Sequence, residues 1–222
     1  MKNDGIITLK NFSSFPEVVH GFAAQEFIPE NKIVMAEQIH GSKVELIENN
    51  NGLSKIKGVD GLITPKPDIF LMIHTADCLP ILFYDPERKI IAACHAGWRG
   101  TLQEVTGQTL MAMERQGSRM KKIMVGIGPH IKICCYSVPA ERIQSFEEKF
   151  GPDKKIFRKS DHQFYLDLTY LNLKQLQGLG IPKENIEVAP YCTFCSSRKL
   201  PSYRRQGKAA HPGLLGIIGR IN

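Results

Sequence analysis

The sequence predicts an α+β fold in a single domain spanning residues 1–222, with mixed β-sheets and helices packed against them. Three observations lead there. Short β-rich apolar runs recur along the whole chain, helical signals are interspersed among them without regular alternation, and no repeat, low-complexity tract or Pro/Gly/Ser linker offers a cut point. A chain of 222 residues buries a large core and still lies within the size of one domain.

Strands are expected at Ile33–Met35, Val44–Ile47, Ile69–Ile73, Leu79–Tyr84, Ile90–Cys94, Ile123–Ile127, Ile186–Ala189 and Leu214–Ile218. Leu102, Val105, Thr106, Thr109, Leu110 and Met113 follow the i, i+3, i+4, i+7 spacing of a helix with one apolar face, which Gly117 should end. Ser137 and Pro139 read as the N-cap and first-turn proline of a second helix, and Asp167 as the N-cap of a third that runs to Gly178.

Composition excludes several classes of protein. A hydrophobic content of 42% with 23% charged residues rules out a disordered or fibrous chain. No apolar run approaches the roughly 20 residues of a membrane span, and Met1 to Lys10 has no signal-peptide core, so the expected location is the cytoplasm. Six cysteines are too few for a disulfide scaffold, which leaves them available for chemistry. The net charge of +7 attracts anions, yet the basic residues are scattered in short pairs such as Lys121-Lys122 and Arg204-Arg205. A phosphate-bearing small substrate suits that pattern, and nucleic acid does not.

The densest chemistry lies in His74-Thr75-Ala76-Asp77-Cys78-Leu79-Pro80 and Cys94-His95-Ala96-Gly97-Trp98-Arg99-Gly100. An out-and-back strand pair between them brings Cys78 and His95 to a common end. His95 also precedes two glycines at a helix entry, where backbone N–H groups favour thiolates and anions. Either residue alone reads as core or turn; together among glycines they read as a site.

These residues carry a resemblance. HTADCLPILFYD followed by AACHAGWRG is similar to the laccase-domain, YfiH-like family, once regarded as multicopper polyphenol oxidases and now as purine nucleoside phosphorylases. Gln38-Ile39-His40-Gly41 resembles its QxHG segment, Gly126-Ile127-Gly128-Pro129 its GxGP turn, and Ser202-Tyr203-Arg204-Arg205 its SYRR segment. The likeness runs from about Glu37 to Ile218 and implies a YfiH-like, cysteine-hydrolase type of architecture.

Carried over by motif, the resemblance implies metal ligands at His40, Cys78 and His95. Two imidazoles and one thiolate suit one zinc ion per chain with a fourth position open, and suit copper less well. His74, four residues before Cys78, stays open as an alternative ligand to His40, since a strand puts residues four apart on one face. The implied substrates are purine nucleosides and phosphate: phosphorolysis of adenosine, inosine, guanosine or methylthioadenosine, with adenosine deamination in the same pocket. Asp77 is the candidate proton shuttle beside Cys78 and His95, or else a residue that orients a ligand. Arg204 and Arg99 are candidates for phosphate and Trp98 for stacking on a base.

The family's N-terminal HGFxTRxGG-like segment is replaced here by His20-Gly21-Phe22-Ala23-Ala24-Gln25-Glu26-Phe27, without the arginine and paired glycines. Activity is therefore expected to favour water over phosphate as nucleophile. Cys192 and Cys195 form a lone CxxC that reads as structural or incidental, and Cys134-Cys135 read as core or site wall. Two other readings use the same residues: a metal-free hydrolase or deamidase with Cys78 as nucleophile and His95 as base, and a non-catalytic regulator stabilised by zinc.

Overall fold

The structure is a computed structural model that describes residues 5–24, 33–49, 54–160, 162–211 and 213–221. Among them, fourteen strands form three sheets. The strands are β1 (Val18–Ala23), β2 (Ile33–Glu37), β3 (Val44–Leu46), β4 (Ser54–Lys57), β5 (Gly61–Thr64), β6 (Phe70–Thr75), β7 (Leu79–Asp85), β8 (Ile90–Ala96), β9 (Met124–Ile127), β10 (Ser137–Val138), β11 (Phe157–Ser160), β12 (Gln163–Leu166), β13 (Ile186–Val188) and β14 (Leu214–Arg220). The larger sheets run β1-β14-β6-β2-β4 and β13-β9-β7-β8-β5-β3, and both mix parallel with antiparallel pairs. All eight expected strands are present.

The two larger sheets face each other. Val34, Leu71, Ile73 and Ile218 of the first meet Leu62, Leu82, Tyr84, Ile91 and Ala93 of the second, all buried. The alternate residues Ile81, Phe83, Ala92, Cys94, Val125 and Ile127 face a helical layer. Period-two alternation thus gives the central strands two apolar faces. Each large side chain so buried contributes about 1.5–3 kcal/mol.

The helical layer consists of α3 (Val105–Arg115), α4 (Ala140–Phe150) and α5 (Leu168–Gly178), with short α1 (Lys10–Ser13), α2 (Trp98–Leu102) and α6 (Tyr203–Gln206) elsewhere. The expected helix through Leu102 to Met113 is two helices, because Glu104 adopts a left-handed conformation (φ 61°, ψ 40°) between them. It ends as expected: Gly117 has φ +90° and the Ser118 amide turns back to the Met113 carbonyl. Asp167 caps α5, accepting from the Tyr170 amide at 2.9 Å. At α4 the expectation was off by one step: Pro139 is the N-cap, and Ser137 belongs to β10. No helix among the described residues is long and apolar enough to cross a membrane.

Candidate active site and metal centre

In the β7–β8 hairpin Pro80 pairs with His95, so Cys78, just before β7, lies beside His95 near the end of β8. On the other side β8 pairs with β5, and the His95 amide donates to the Asp60 carbonyl at 2.8 Å. The loop after β2 brings in His40. Its backbone is left-handed (φ 60°), a costly conformation that its neighbours must hold.

Asp60 does that holding. Its side chain is fully buried, and its carboxylate accepts the amides of Ile39 (3.1 Å), His40 (3.0 Å) and Gly41 (2.7 Å). The same carboxylate lies 2.8 Å from His95 Nδ1. A single side chain therefore fixes both imidazole-bearing segments, and the Nδ1–H donated to Asp60 leaves Nε2 of His95 as the basic atom. Nothing in the sequence singles out Asp60 except its place before Gly61, whose added Cβ would meet Val44 at 2.8 Å.

One ligand atom each from His40, Cys78 and His95 lies within 4.8 Å of the others. Two imidazole nitrogens and one thiolate sulfur at that spacing form a donor set that could hold a single metal ion. Gly97 keeps that space open: a Cβ there would lie 2.9 Å from Cys78 Sγ and 3.1 Å from His40 Nδ1. His40 is exposed, Cys78 half-buried and His95 buried, so the cluster opens to solvent on the His40 side. Donor chemistry, spacing and the absent side chain at Gly97 all fit a metal ion.

The electrostatics point the same way. Burial pushes the Cys78 thiol up, but the charge of His95 and hydrogen bonds from His40 and His95 outweigh it and hold it at about 6. Burial pushes His95 down, but the Cys78 thiolate and the Asp60 carboxylate outweigh it and raise it to about 9. Burial would raise Asp60, yet the hydrogen bond from His95 and the backbone amides keep it below the usual carboxylate range. The thiol is thus a ready thiolate.

The other candidates fall into place around this cluster. His74 is not part of it: Gln38 holds its main chain through Nε2 to the His74 carbonyl (2.7 Å) and Oε1 from the His74 amide (2.8 Å), and its ring Nε2 lies 3.1 Å from Met35 Sδ. Asp77 is left-handed (φ 91°), and both its oxygens are engaged, one by the Thr193 hydroxyl (2.6 Å) and one by the Arg204 amide (2.7 Å). Through these two bonds the carboxylate anchors the SYRR segment and Thr193 beside Cys78. Trp98 packs on the helical core, and the guanidinium groups of Arg99 (4.6 Å) and Arg142 (4.2 Å) lie over its ring. Its face is occupied by cations, not open to a base.

Arg204 donates to the Ser137 carbonyl (3.0 Å) and hydroxyl (3.1 Å), and Arg205 turns inward to the carbonyls of Thr193 (2.9 Å), Phe194 (2.6 Å) and Leu200. Arg204, Arg142 and His162 line an open cleft of about 460 Å³ with Ser137, Gln163 and Phe164. Two residues of this region escaped the sequence. Arg142 has a buried Nε with no hydrogen-bond partner. Tyr136 is buried with the Arg204 guanidinium 5.4 Å from its ring centroid, and burial first, then the Cys78 charge, raise its phenol above the ordinary value while Arg142 and Arg204 oppose them. A basic residue in an amphipathic helix and a tyrosine in a loop carry no signal of such roles.

Known proteins resemble this chain in sequence and in fold. A Geobacillus stearothermophilus relative, purine nucleoside phosphorylase YlmD, is 33% identical over 86% of this chain and 73% of its own. A purine nucleoside phosphorylase of Bacteroides thetaiotaomicron is also 33% identical, over 86% of this chain and 74% of its own. Adenosine deaminase RL5, from an unknown prokaryotic organism, is 30% identical over 83% of this chain and 74% of its own. Among solved structures, YlmD from Geobacillus stearothermophilus superposes with a TM-score of 0.87 at 26% identity, covering 100% of this chain and 98% of that one. A Bacillus licheniformis hypothetical protein YfiH gives 0.86 at 24% identity, covering 99% and 97%. With residues 18–219 also matching the family described as multi-copper polyphenol oxidoreductase laccase, the chain belongs to that family.

Proposed function

We propose that this protein is a zinc-dependent enzyme of purine nucleosides, in which His40, Cys78 and His95 hold the ion and adenosine is turned over with water in preference to phosphate. The observation that carries the reading is the convergence of two imidazoles and one low-pKa thiolate around an open space, locked from behind by Asp60. Relatives named purine nucleoside phosphorylase and adenosine deaminase support the substrate class. Bound there, zinc supplies Lewis acidity toward water or a phosphate or nucleoside oxygen.

The chain's own residues supply the rest. Asp60 keeps the His95 ring turned so that Nε2 faces the cluster, and Cys78 contributes one negative charge. Tyr136, raised above its ordinary value chiefly by burial, keeps its phenolic proton at neutral pH beneath the Arg204 guanidinium. Asp77 acts by position: it ties Thr193 and Arg204 to the turn that carries Cys78. Arg142, braced on Trp98, lines the cleft beside Arg204 and is a cation that can meet an anion there. Arg204 lines the cleft with its side chain while its amide holds Asp77.

The preference for water rests on the missing arginine and glycines of the N-terminal segment, of which positions 25–27 lie outside the described residues. Adenosine assayed with and without phosphate tests it. Inosine formed at the same rate in both supports the reading; strict phosphate dependence with ribose-1-phosphate as product overturns it. A second reading, a metal-free hydrolase with Cys78 as nucleophile, draws on the thiolate–imidazolium pair. It requires turnover by zinc-stripped protein and its loss on alkylation of Cys78.

A further inference from the structure

The CxxC of Cys192 and Cys195, which reads in sequence as structural or incidental, does not stand alone. Cys134, Cys135, Cys192 and Cys195 converge, each Sγ within 4.8 Å of the others, in a group separate from His40, Cys78 and His95. All four are free thiols. The fold explains the meeting: β9 and β13 are parallel neighbours, so the loops that leave them emerge side by side, joined by a bridge between His130 and Cys192 and by the Thr193 amide on the His130 carbonyl at 3.0 Å.

Core packing does not account for the convergence. Cys134 and Cys195 are exposed, where a sulfur gains little from burial and is open to oxidation. Their Sγ atoms are 3.8 Å apart. Four sulfurs bonded at about 2.3 Å to one tetrahedral ion lie about 3.8 Å from one another, so this edge already has the length that such a site requires. The turn from Cys192 to Cys195 also resembles a metal knuckle. The Ser196 amide closes it on the Cys192 carbonyl at 3.0 Å, and backbone N–H groups of Lys132, Phe194 and Cys195 point at the Cys192 sulfur. Such donors stabilise a thiolate ligand.

We infer that Cys134, Cys135, Cys192 and Cys195 bind a second zinc ion, a closed four-sulfur structural site that clips the loop after β9 to the loop after β13. A single ion is favoured over an iron–sulfur cubane, which spreads its four cysteines wider. Binding replaces thiol protons by metal–sulfur bonds and needs no oxidant. The clip lies one hydrogen bond away from the first site: Thr193, inside the CxxC, donates to Asp77 beside Cys78, and Tyr136 follows Cys135 directly. Its loss should therefore loosen Asp77, Arg204 and Tyr136 together.

The test uses Cys78→Ser to remove the thiolate of the first site, so that any remaining zinc belongs to the cluster. Purified under reducing conditions without chelator, Cys78→Ser should carry about one zinc per chain, and adding Cys134→Ser and Cys195→Ser should remove it. Those two positions are exposed, so the fold should tolerate the changes. Cobalt(II) added to zinc-stripped wild-type protein gives an independent readout: an intense sulfur-to-cobalt spectrum of a four-thiolate site, absent from Cys134→Ser/Cys195→Ser. Metal-free Cys78→Ser whose cluster thiols all react at once with a disulfide reagent, disulfides among the four in reduced protein, or iron in place of zinc would each overturn the inference.

Discussion

Asp60 Oδ1 lies 2.8 Å from His95 Nδ1 and 3.0 Å from the His40 amide, so one buried oxygen sets the positions of two imidazoles 55 residues apart in sequence. Replacing Asp60 by Asn puts an N–H donor against amides that need an acceptor and removes the charge that His95 balances. Zinc affinity at the first site should fall roughly 10–100-fold and stability by a few kcal/mol. Competition with a chromophoric chelator and a thermal melt measure both; an unchanged affinity would remove Asp60 from the account.

Gly97→Ala tests whether the space between the ligands matters. The new Cβ would sit 2.9 Å from Cys78 Sγ, while Gly97 has an ordinary φ of −75°, so backbone strain does not enter. Metal affinity and turnover should drop more than tenfold with a melting temperature close to wild type. A fully active variant would mean that the ligands do not close here.

The Cys78 thiol at about 6 predicts that metal-free protein is alkylated at Cys78 with a half-maximal rate near pH 6, where an ordinary thiol titrates near 9.0. Stability is a poorer probe of this pair. The unfolded Cys78 binds a proton more readily than the folded one between about 6 and 9.0, so its contribution grows with pH; folded His95 retains a proton between 6.5 and about 9, so its contribution shrinks. The slopes cancel over most of that window, and the alkylation profile, followed by peptide mass spectrometry, is the measurement to make.

His130 should make the protein less stable in acid. It is fully buried, lying 2.7 Å from the Gly128 carbonyl and 2.6 Å from the Thr169 hydroxyl, and burial lowers it to about 4 against the carbonyl's opposing pull. The unfolded chain takes up a proton first, so stability is lost as pH falls from 6.5 towards 4, by about 3 kcal/mol in total. Urea denaturation of wild type and His130→Gln across that range should show a shallower acid slope in the variant; parallel slopes would contradict this.

Arg142→Ala should raise the Kd for inorganic phosphate, read by titration, five- to tenfold or more, with little change in kcat for adenosine, and should alter Trp98 fluorescence through loss of the ring contact at 4.2 Å. Arg142→Lys restores charge but not the planar fork, and should recover only part of the affinity. Equal Kd values across the three proteins would remove Arg142 from anion binding.

Much of the fold was legible because apolar runs such as Leu79–Tyr84 and Ile90–Cys94 are buried on both faces and leave an unbroken signal. The missed strands lacked it. β4, Ser-Lys-Ile-Lys, is an edge strand half open to solvent, and β1 is interrupted by His20 and Gly21. Cys78 and His95 were readable from the hairpin that joins them, whereas His40 came only from motif resemblance. Asp60, Tyr136 and Arg142 were not readable, because their roles arise from long-range contacts with no local periodicity. The four-cysteine cluster was hidden for the same reason: each pair is unremarkable until β9 and β13 lie side by side.

The most direct test of the central claim is adenosine turnover by protein stripped of zinc and then reloaded. The account predicts loss of activity on stripping, recovery with added zinc, and no recovery in Cys78→Ser. Stripped wild-type protein that converts adenosine at the full rate would contradict it.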